Sequence, residues 1–124
     1  MEYKRIEKLF AQLQRQPSHP FPKIGARLEA PPTQGVYIIR NRATKVAHVG
    51  RTVRGAKGLS QRLNNHLRGQ SSFVNARFAG DGGKLRNGFT FQYLEVSDER
   101  ERALLENLTI ARLCPEHLGL GIQT

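Results

Sequence analysis

Gly35–Arg40 (GVYIIR) and Lys45–Gly50 (KVAHVG) are two short apolar segments separated by four residues. Their β-branched and aromatic side chains favour strands, and the intervening Asn41–Thr44 has the length of a hairpin loop, so the sequence predicts an antiparallel pair. With this loop, Tyr37 and His48 should lie directly opposite each other on one face of the sheet. A shift of one residue in the pairing would separate them.

Helices are predicted where apolar residues recur every three or four positions. These stretches cover residues 2–16, 59–67 and 98–113. The third stretch begins with Asp98 followed three residues later by Glu101, a capping-box-like pair, and it ends before Pro115. A third strand is predicted at residues 89–96, whereas residues 73–78 fit either a helix or a strand.

The overall expectation is a small α/β domain with an N-terminal extension. A chain of 124 residues has room for a single core. Pro17 ends the first helix, and five prolines between residues 17 and 33 predict an extended segment that lies over the core. We therefore expect residues 1–34 to form a helix and a proline-rich extension, and residues 35–124 to form the functional domain. That domain should contain a small three-stranded, mainly antiparallel sheet flanked by helices.

Positive charge is concentrated in the middle of the chain. The net charge is +10, and residues 40–86 hold eleven basic side chains and one acid, Asp81, whereas the remaining nine basic and nine acidic residues cancel. A basic surface of this kind neutralises phosphates, so the sequence predicts a nucleic-acid partner; a charge excess that only maintains solubility is the alternative.

The single Cys114 rules out an internal disulfide. No apolar run approaches the roughly 18 residues of a membrane span, and the N-terminus has no secretory pattern, so a cytoplasmic protein without a membrane partner is expected.

Two groups of polar residues stand on predicted helices next to apolar positions. Arg62 and His66 are four residues apart and therefore share one side of their helix, where the planar guanidinium suits phosphate oxygens. A solvated arginine at a helix edge is the alternative. Glu106 lies on an apolar helix, where a carboxylate is costly unless it is paired or bound to a cation. A salt bridge to Arg62 or Arg102 would satisfy it, and so would a hard divalent cation, Mg²⁺ or Mn²⁺, completed by water and phosphate oxygens.

This ordered set resembles the GIY-YIG nuclease family over roughly residues 35 to 118. The resemblance implies a metal-dependent endonuclease that hydrolyses phosphodiester bonds in DNA, with RNA not excluded as a substrate. It implies that Arg62 stabilises the phosphoryl transition state and that His66 assists as a proton or hydrogen-bond donor. It also implies that Glu106 binds the divalent metal.

Tyr37 matches the tyrosine of the family's first motif, which implies that it orients or deprotonates the attacking water. His48 stands where the family's second tyrosine usually stands, and an imidazole could accept a proton or bind a phosphate oxygen. A phenol has a pKa of about 10 and an imidazole one of about 6.5, so the choice of general base stays open. Nearby cations are expected to lower the Tyr37 pKa. A tyrosine that only packs its ring in the core, and a surface histidine without a role, are the alternatives.

Four further basic residues are expected to bind nucleic-acid phosphates. They are Arg51, Arg54, Lys57 and Arg68. The chain departs from the family at Leu118, where an asparagine often stands. Two alternative functions therefore stay open: a catalytically inactive nucleic-acid-binding module, and a nuclease subunit that needs a partner. The outer face of the N-terminal helix could contact such a partner or a second copy of the chain.

Overall fold

The computed structural model describes residues 1–53 and 57–119. Its helices are α1 (Glu2–Arg15), α2 (Gly58–Leu67), α3 (Ser72–Phe78) and α4 (Glu99–Leu113), and a short 3₁₀ helix spans Gly82–Arg86. Its strands are β1 (His19–Pro20), β2 (Gly35–Arg40), β3 (Val46–Arg51) and β4 (Thr90–Glu95). None of the helices in these described ranges has the length and apolar character needed to span a membrane.

The four strands form one antiparallel sheet in the order β1-β4-β2-β3. The α/β class and the three predicted strands are confirmed, and residues 73–78 form part of α3. The expectation of three strands is wrong by one, because His19 and Pro20 add a two-residue edge strand opposite Phe91 and Thr90. Two residues carry no alternating pattern, and the pairing that makes them a strand is not local in sequence.

The three predicted helices are confirmed, and their ends agree to within one residue. Asp98 caps α4, since its Oδ2 accepts a hydrogen bond from the Glu101 N–H at 2.9 Å. At the other end, Cys114 adopts a left-handed conformation with φ of 46° and stops the helix before Pro115. The start of α4 therefore follows from the capping pattern in the sequence.

The sheet lies between two hydrophobic layers. Tyr37 on β2 belongs to the layer that contains α2 and α3, which we call the α2 layer. The adjacent Val36 belongs to the layer that contains α1 and α4, as the alternation of side chains along a strand requires. The N-terminal extension contributes to both layers, with Phe21 and Leu28 in the α2 layer and Leu13 in the α1/α4 layer. Residues 1–34 are thus packed into the same core as the rest of the domain.

The hairpin between β2 and β3 closes through a shorter loop than predicted. The Asn41 N–H donates to the Lys45 carbonyl at 2.8 Å. In the reverse direction, Asn41 Oδ1 accepts hydrogen bonds from the N–H groups of Ala43 and Lys45. This side chain bridges the turn. Because Asn41 pairs with Lys45, the loop contains three residues, 42–44, instead of the four predicted from the sequence. That displacement alone would put Tyr37 and His48 on opposite faces.

A β-bulge displaces the register by a second residue. Ala47 is an extra residue without a partner on β2, so His48 pairs with Ile39. Tyr37 pairs with Gly50, and the prediction that Tyr37 lies directly opposite His48 is wrong. Because the two displacements add up to two residues, both rings still lie on one face, with centroids 6.0 Å apart.

Candidate active site

The phenol of Tyr37 ends a chain of hydrogen bonds that runs through α2 to the start of α3. Tyr37 is fully buried, and its Oη lies 2.7 Å from Nε2 of His66. Nδ1 of the same imidazole lies 2.8 Å from Oγ of Ser71, which also accepts a hydrogen bond from the Val74 N–H. The Tyr37 ring does pack in the core, as the alternative interpretation held, but its hydroxyl has a specific and fixed partner.

This chain can carry its protons in two ways. In the first, the Tyr37 hydroxyl donates to Nε2 of His66, and Nδ1–H donates to Ser71. In the second, the Ser71 hydroxyl donates to Nδ1, and Nε2–H donates to the phenol oxygen. Only the second arrangement supplies the hydrogen bond that would stabilise negative charge on Tyr37. Burial, with the charges of His48, Arg62 and His117, lowers the pKa of His66 well below its usual value, so the imidazole is neutral and both arrangements are open to it.

Gly50 leaves the space that the Tyr37 ring occupies. A Cβ at Gly50 would lie 2.3 Å from the Tyr37 hydroxyl oxygen and 2.5 Å from the ring carbon that bears it. Real Cβ atoms do not come so close to other atoms, and a buried ring held by His66 has no room to move. The glycine that ends the second strand motif is therefore explained by the position of the tyrosine in the first.

We expect Gly50→Ala to lower the free energy of unfolding by about 1–3 kcal/mol, because the added methyl group overpacks the site. The displaced phenol should also lose its hydrogen bond to His66, so turnover should fall with stability. Gly83→Ala is the matched control, since a Cβ there would meet only the carboxylate of the exposed Asp81, at 3.2 Å, and this side chain can move aside. Urea unfolding of both variants checks the prediction, and equal stability of the two would contradict the steric argument.

Burial controls the protonation of Tyr37. It raises the pKa of Tyr37 to about 12, although the charge and hydrogen bond of Arg62 act in the opposite direction, and the charge of Glu106 adds to the rise. The expectation that nearby cations would lower this pKa is wrong in its net direction, because burial outweighs the guanidinium. Tyr37 is thus a neutral phenol at pH 7 in the free protein. The charges of Arg62 and Glu106 both reach the phenol, so these three side chains lie near one another.

Glu106 forms an ion pair with Arg51 across the end of β3. Nη1 of Arg51 donates to Oε1 of Glu106 at 2.6 Å, and both side chains are partly buried. The partner is neither Arg62 nor Arg102, the two arginines proposed from sequence. No described residue donates a hydrogen bond to the second carboxylate oxygen, Oε2, so this oxygen remains open for a further ligand. Arg51, which was expected to contact phosphate, is held by Glu106 in this structure.

Arg102 is a buried cation that binds backbone carbonyls instead of pairing with Glu106. Its guanidinium donates to the carbonyls of Thr52, Val53, Val96 and Ser97, and its side chain is almost completely buried. These bonds join the chain that leaves β3 to the chain that leaves β4. Arg102 therefore fixes the end of β3, where Arg51 begins its ion pair. Its spacing on α4 gave no signal of this, because the carbonyls of Thr52 and Val53 lie 50 and 49 residues away in the sequence.

His48 stacks on Phe73 and has no hydrogen bond from the described residues to either ring nitrogen. The two rings are nearly parallel, with centroids 4.8 Å apart. The His66 and His117 rings lie 5.2 and 5.3 Å away. His48 is only 9% exposed, so it is not the surface histidine of the alternative interpretation. Burial, followed by the charges of His117 and Arg62, lowers the pKa of His48 to about 3.

The predicted site residues do not all lie in one place. One group converges around the Tyr37 phenol and comprises Tyr37, His48, Arg62, His66 and Glu106. Arg51 and Arg62 both line a cavity of about 280 Å³ beside it. Lys57 and Arg68 line a different, larger cleft along α2. Arg54 lies outside the described residues.

Comparison with known proteins identifies the family of this chain. The model of the GIY-YIG catalytic domain matches residues 33–116, which is more than half of the chain. The chain belongs to the GIY-YIG family. Among curated proteins, none matches the chain.

Solved structures of GIY-YIG domains share this fold. One is the GIY-YIG N-terminal endonuclease domain of UvrC from Thermotoga maritima bound to its catalytic divalent cation, magnesium. It is 30% identical, with a TM-score of 0.52, and the match covers 72% of this chain and 86% of that one. A tyrosine-to-phenylalanine point mutant of the same domain matches over 90% of this chain and 92% of its own, at 26% identity and a TM-score of 0.52. GIY-YIG is a nuclease family, and this chain spans most of the endonuclease domain.

Just after the matched GIY-YIG domain, Leu118 is exposed where the family often has an asparagine. The residue before it, His117, is fixed instead. Its N–H donates to the carbonyl of the bulge residue Ala47 at 3.0 Å, and its ring approaches His48 and Phe73. His117 is thus a site neighbour that the sequence pattern did not identify.

A divalent cation in this GIY-YIG domain would have one carboxylate as its protein ligand. The described residues contain no cluster of three or more histidine, cysteine, aspartate or glutamate side chains able to hold a metal ion. Glu106, with its open oxygen Oε2, fits Mg²⁺ or Mn²⁺, because such ions keep several waters and accept substrate oxygens. The three histidines around Phe73 do not form a metal site.

We expect the protein to lose stability in acid through its buried histidines. The pKa of His48 is about 3 and that of His66 is lowered well below the usual value. The unfolded chain therefore binds more protons below about pH 6.5, and the free energy of unfolding should fall from about pH 6.5 towards pH 3, by up to about 1.4 kcal/mol per pH unit for each histidine. Urea unfolding at pH 7, 6 and 5 measures the slope. His48→Phe keeps the stack on Phe73 and should reduce the slope by one histidine; an unchanged slope would contradict the burial effect.

Proposed function

We propose that this protein is a metal-dependent endonuclease that hydrolyses phosphodiester bonds in DNA. The observation that carries the proposal is the convergence of the Tyr37–His66 hydrogen bond, the Arg62 guanidinium and the open oxygen of Glu106. Phosphodiester hydrolysis needs an aligned water, positive charge for the phosphoryl oxygens and stabilisation of the leaving oxygen. Membership of a nuclease family and the net charge of +10 support the same conclusion.

In this proposal Glu106 holds the divalent cation, Mg²⁺ or Mn²⁺. The bound ion would supply positive charge for the substrate oxygens and lower the pKa of a coordinated water. Arg62 binds the phosphoryl oxygens through its planar fork and stabilises the charge that they gain. Arg51, released from or shared with Glu106, adds a second cation beside the same cavity.

Tyr37 is proposed to orient the attacking water. Its raised pKa of about 12 favours a hydrogen-bonding role over proton removal at neutral pH. His66 fixes the phenol and can donate Nε2–H to its oxygen when the Ser71 hydroxyl holds Nδ1. His48 is a weaker base than an exposed histidine, because its pKa is about 3, so its proposed contribution is a hydrogen bond to water or to a phosphate oxygen.

A plasmid-nicking assay with and without Mg²⁺ tests the function directly. Nicking that needs the metal is expected, and salt-sensitive DNA binding should accompany it. Binding without nicking under all metal conditions would instead support the inactive binding module or a subunit that needs a partner. Absence of both binding and nicking would reject the nucleic-acid function.

A further inference from the structure

A cleft of about 690 Å³ runs along α2 outside the group around Tyr37. Three of its lining residues are basic, namely Arg27, Lys57 and Arg68, and Ser60, Gln61 and Asn64 add polar groups. No acidic or aromatic side chain is among the described residues that line it. The walls come from two parts of the chain, since Arg27 belongs to the N-terminal extension and most of the others belong to α2. The GIY-YIG match starts at residue 33, so the Arg27 wall lies outside the matched domain.

The extension holds Arg27 against α2 through several fixed contacts. The next residue, Leu28, is buried in the α2 layer. A few residues later, the carbonyls of Pro31 and Thr33 accept hydrogen bonds from the first N–H groups of α2 at 2.9 and 2.8 Å. Phe21 anchors the other end of the segment, because its ring is buried and its N–H donates to the Phe89 carbonyl. Arg27 is therefore an exposed cation on an anchored segment of backbone.

The cleft lies next to the cavity beside the site. Gln61 lines both, and the cavity on its other side also contains Arg51 and Arg62. From Arg62 to Arg68 the helix rises by roughly 9 Å, at about 1.5 Å per residue. A strand of B-DNA advances about 3.4 Å per nucleotide along its axis, so this distance corresponds to about two to three nucleotides.

We propose that this cleft binds the sugar–phosphate backbone of the DNA substrate about two to three nucleotides from the scissile phosphate. Arg27, Lys57 and Arg68 neutralise the phosphates, and the polar side chains donate to the backbone oxygens. A cleft that has three cations and no aromatic side chain offers charge to phosphates and no surface on which bases stack, so we assign it to the backbone of the substrate. The N-terminal extension is thereby part of the substrate-binding surface. This proposal rests on the endonuclease function proposed above.

The test compares Arg27→Ala with Arg15→Ala in the full chain. Arg15 is an exposed arginine at the end of α1, in the opposite layer, so its loss removes the same charge away from the cleft. On a long duplex, Arg27→Ala should raise KM about two- to fivefold, as expected for an exposed ion pair. The dependence of log affinity on log salt should become shallower by roughly 0.9 for each phosphate that the variant no longer neutralises. Adding Arg68→Ala should increase both effects.

Substrate length supplies the second arm of the experiment. Once the cleavage position is mapped, one side of the duplex is shortened to one, two, three or six base pairs from that position while the other side stays long. The experiment is then repeated with the two sides exchanged. The KM ratio between Arg27→Ala and the wild type should shrink towards one once trimming removes the phosphates that reach the cleft, about two to three nucleotides from the scissile phosphate.

Three results would overturn the cleft. The first is that Arg27→Ala leaves KM and the salt dependence of affinity unchanged while the wild type cleaves DNA. The second is that Arg15→Ala changes KM and the salt dependence as much as Arg27→Ala does. The third is that the KM ratio does not change with substrate length. In each case the endonuclease function would stand. A wild type that neither binds nor cleaves DNA would instead overturn the proposed function, and the cleft with it.

Discussion

Glu106→Gln is expected to lower kcat by about a thousandfold or more, which corresponds to about 4 kcal/mol of lost transition-state stabilisation. Glutamine has nearly the same shape and keeps an oxygen that can accept the hydrogen bond of Arg51, so the fold should persist. A neutral amide binds a hard divalent cation far more weakly than a carboxylate does. DNA binding should stay equal or become tighter, because a negative charge near the phosphates is removed.

Glu101→Gln is the matched control on the same helix. Glu101 pairs with Arg5 at 3.1 Å on the surface, away from the Tyr37 phenol, so this variant should keep wild-type turnover. Single-turnover nicking across a Mg²⁺ titration, with far-UV circular dichroism for folding, makes the comparison. Unfolding of Glu106→Gln would show that the Arg51 ion pair is the main role of the carboxylate. Full turnover of a folded Glu106→Gln would refute metal binding by this residue.

Tyr37→Phe should lower kcat by about 10² to 10⁴, since a group that aligns or activates the nucleophile is lost. It should also lower the free energy of unfolding by about 1–3 kcal/mol, because Nε2 of the buried His66 loses its partner. Tyr93→Phe is the control: Tyr93 pairs with Tyr37 across the sheet, and loss of its hydroxyl should leave turnover intact.

The pH dependence of the Tyr37→Phe variant separates two roles of the phenol. If Tyr37 orients the water, log kcat against pH should keep the wild-type slope at a lower level. If ionised Tyr37 takes the proton, the wild-type rate should rise through the accessible range towards the pKa of about 12 and the slope should flatten in the variant. Stopped-flow cleavage between pH 6 and 9 distinguishes the two, and a fully active variant would exclude both.

Local sequence patterns were sufficient for most of the fold. The strand Gly35–Arg40 agrees with its predicted bounds because its β-branched run is bounded by a glycine and a turn, and the start of α4 follows from Asp98. The strand His19–Pro20 could not be predicted, since it exists only through pairing with β4. The hairpin register failed for a similar reason: a side-chain bridge from Asn41 and a bulge at Ala47 each displaced it by one residue.

The site was predictable where it depends on spacing along one helix, as for Arg62 and His66. It was not predictable where two distant segments meet. The partner of Glu106 depends on β3 ending beside α4, and it is Arg51. The protonation of Tyr37 depends on a balance between burial and the charge of Arg62, and composition gives the charge but not the burial. The position of His117 depends on the chain after α4 returning to the bulge on β3.

The close approach of Tyr37 to Gly50 also restricts how the hairpin can form during folding. If β3 paired without its bulge, Val49 instead of Gly50 would lie opposite Tyr37, and the glycine that leaves space for the phenol ring would be displaced from it. His48 would then turn towards the apolar side chains of the α1/α4 layer and lose its stack on Phe73. The native alignment is thus favoured, because it places Gly50 opposite Tyr37 and leaves space for the phenol ring. The side chain proposed to align the water during catalysis also selects the strand alignment in which the site can assemble.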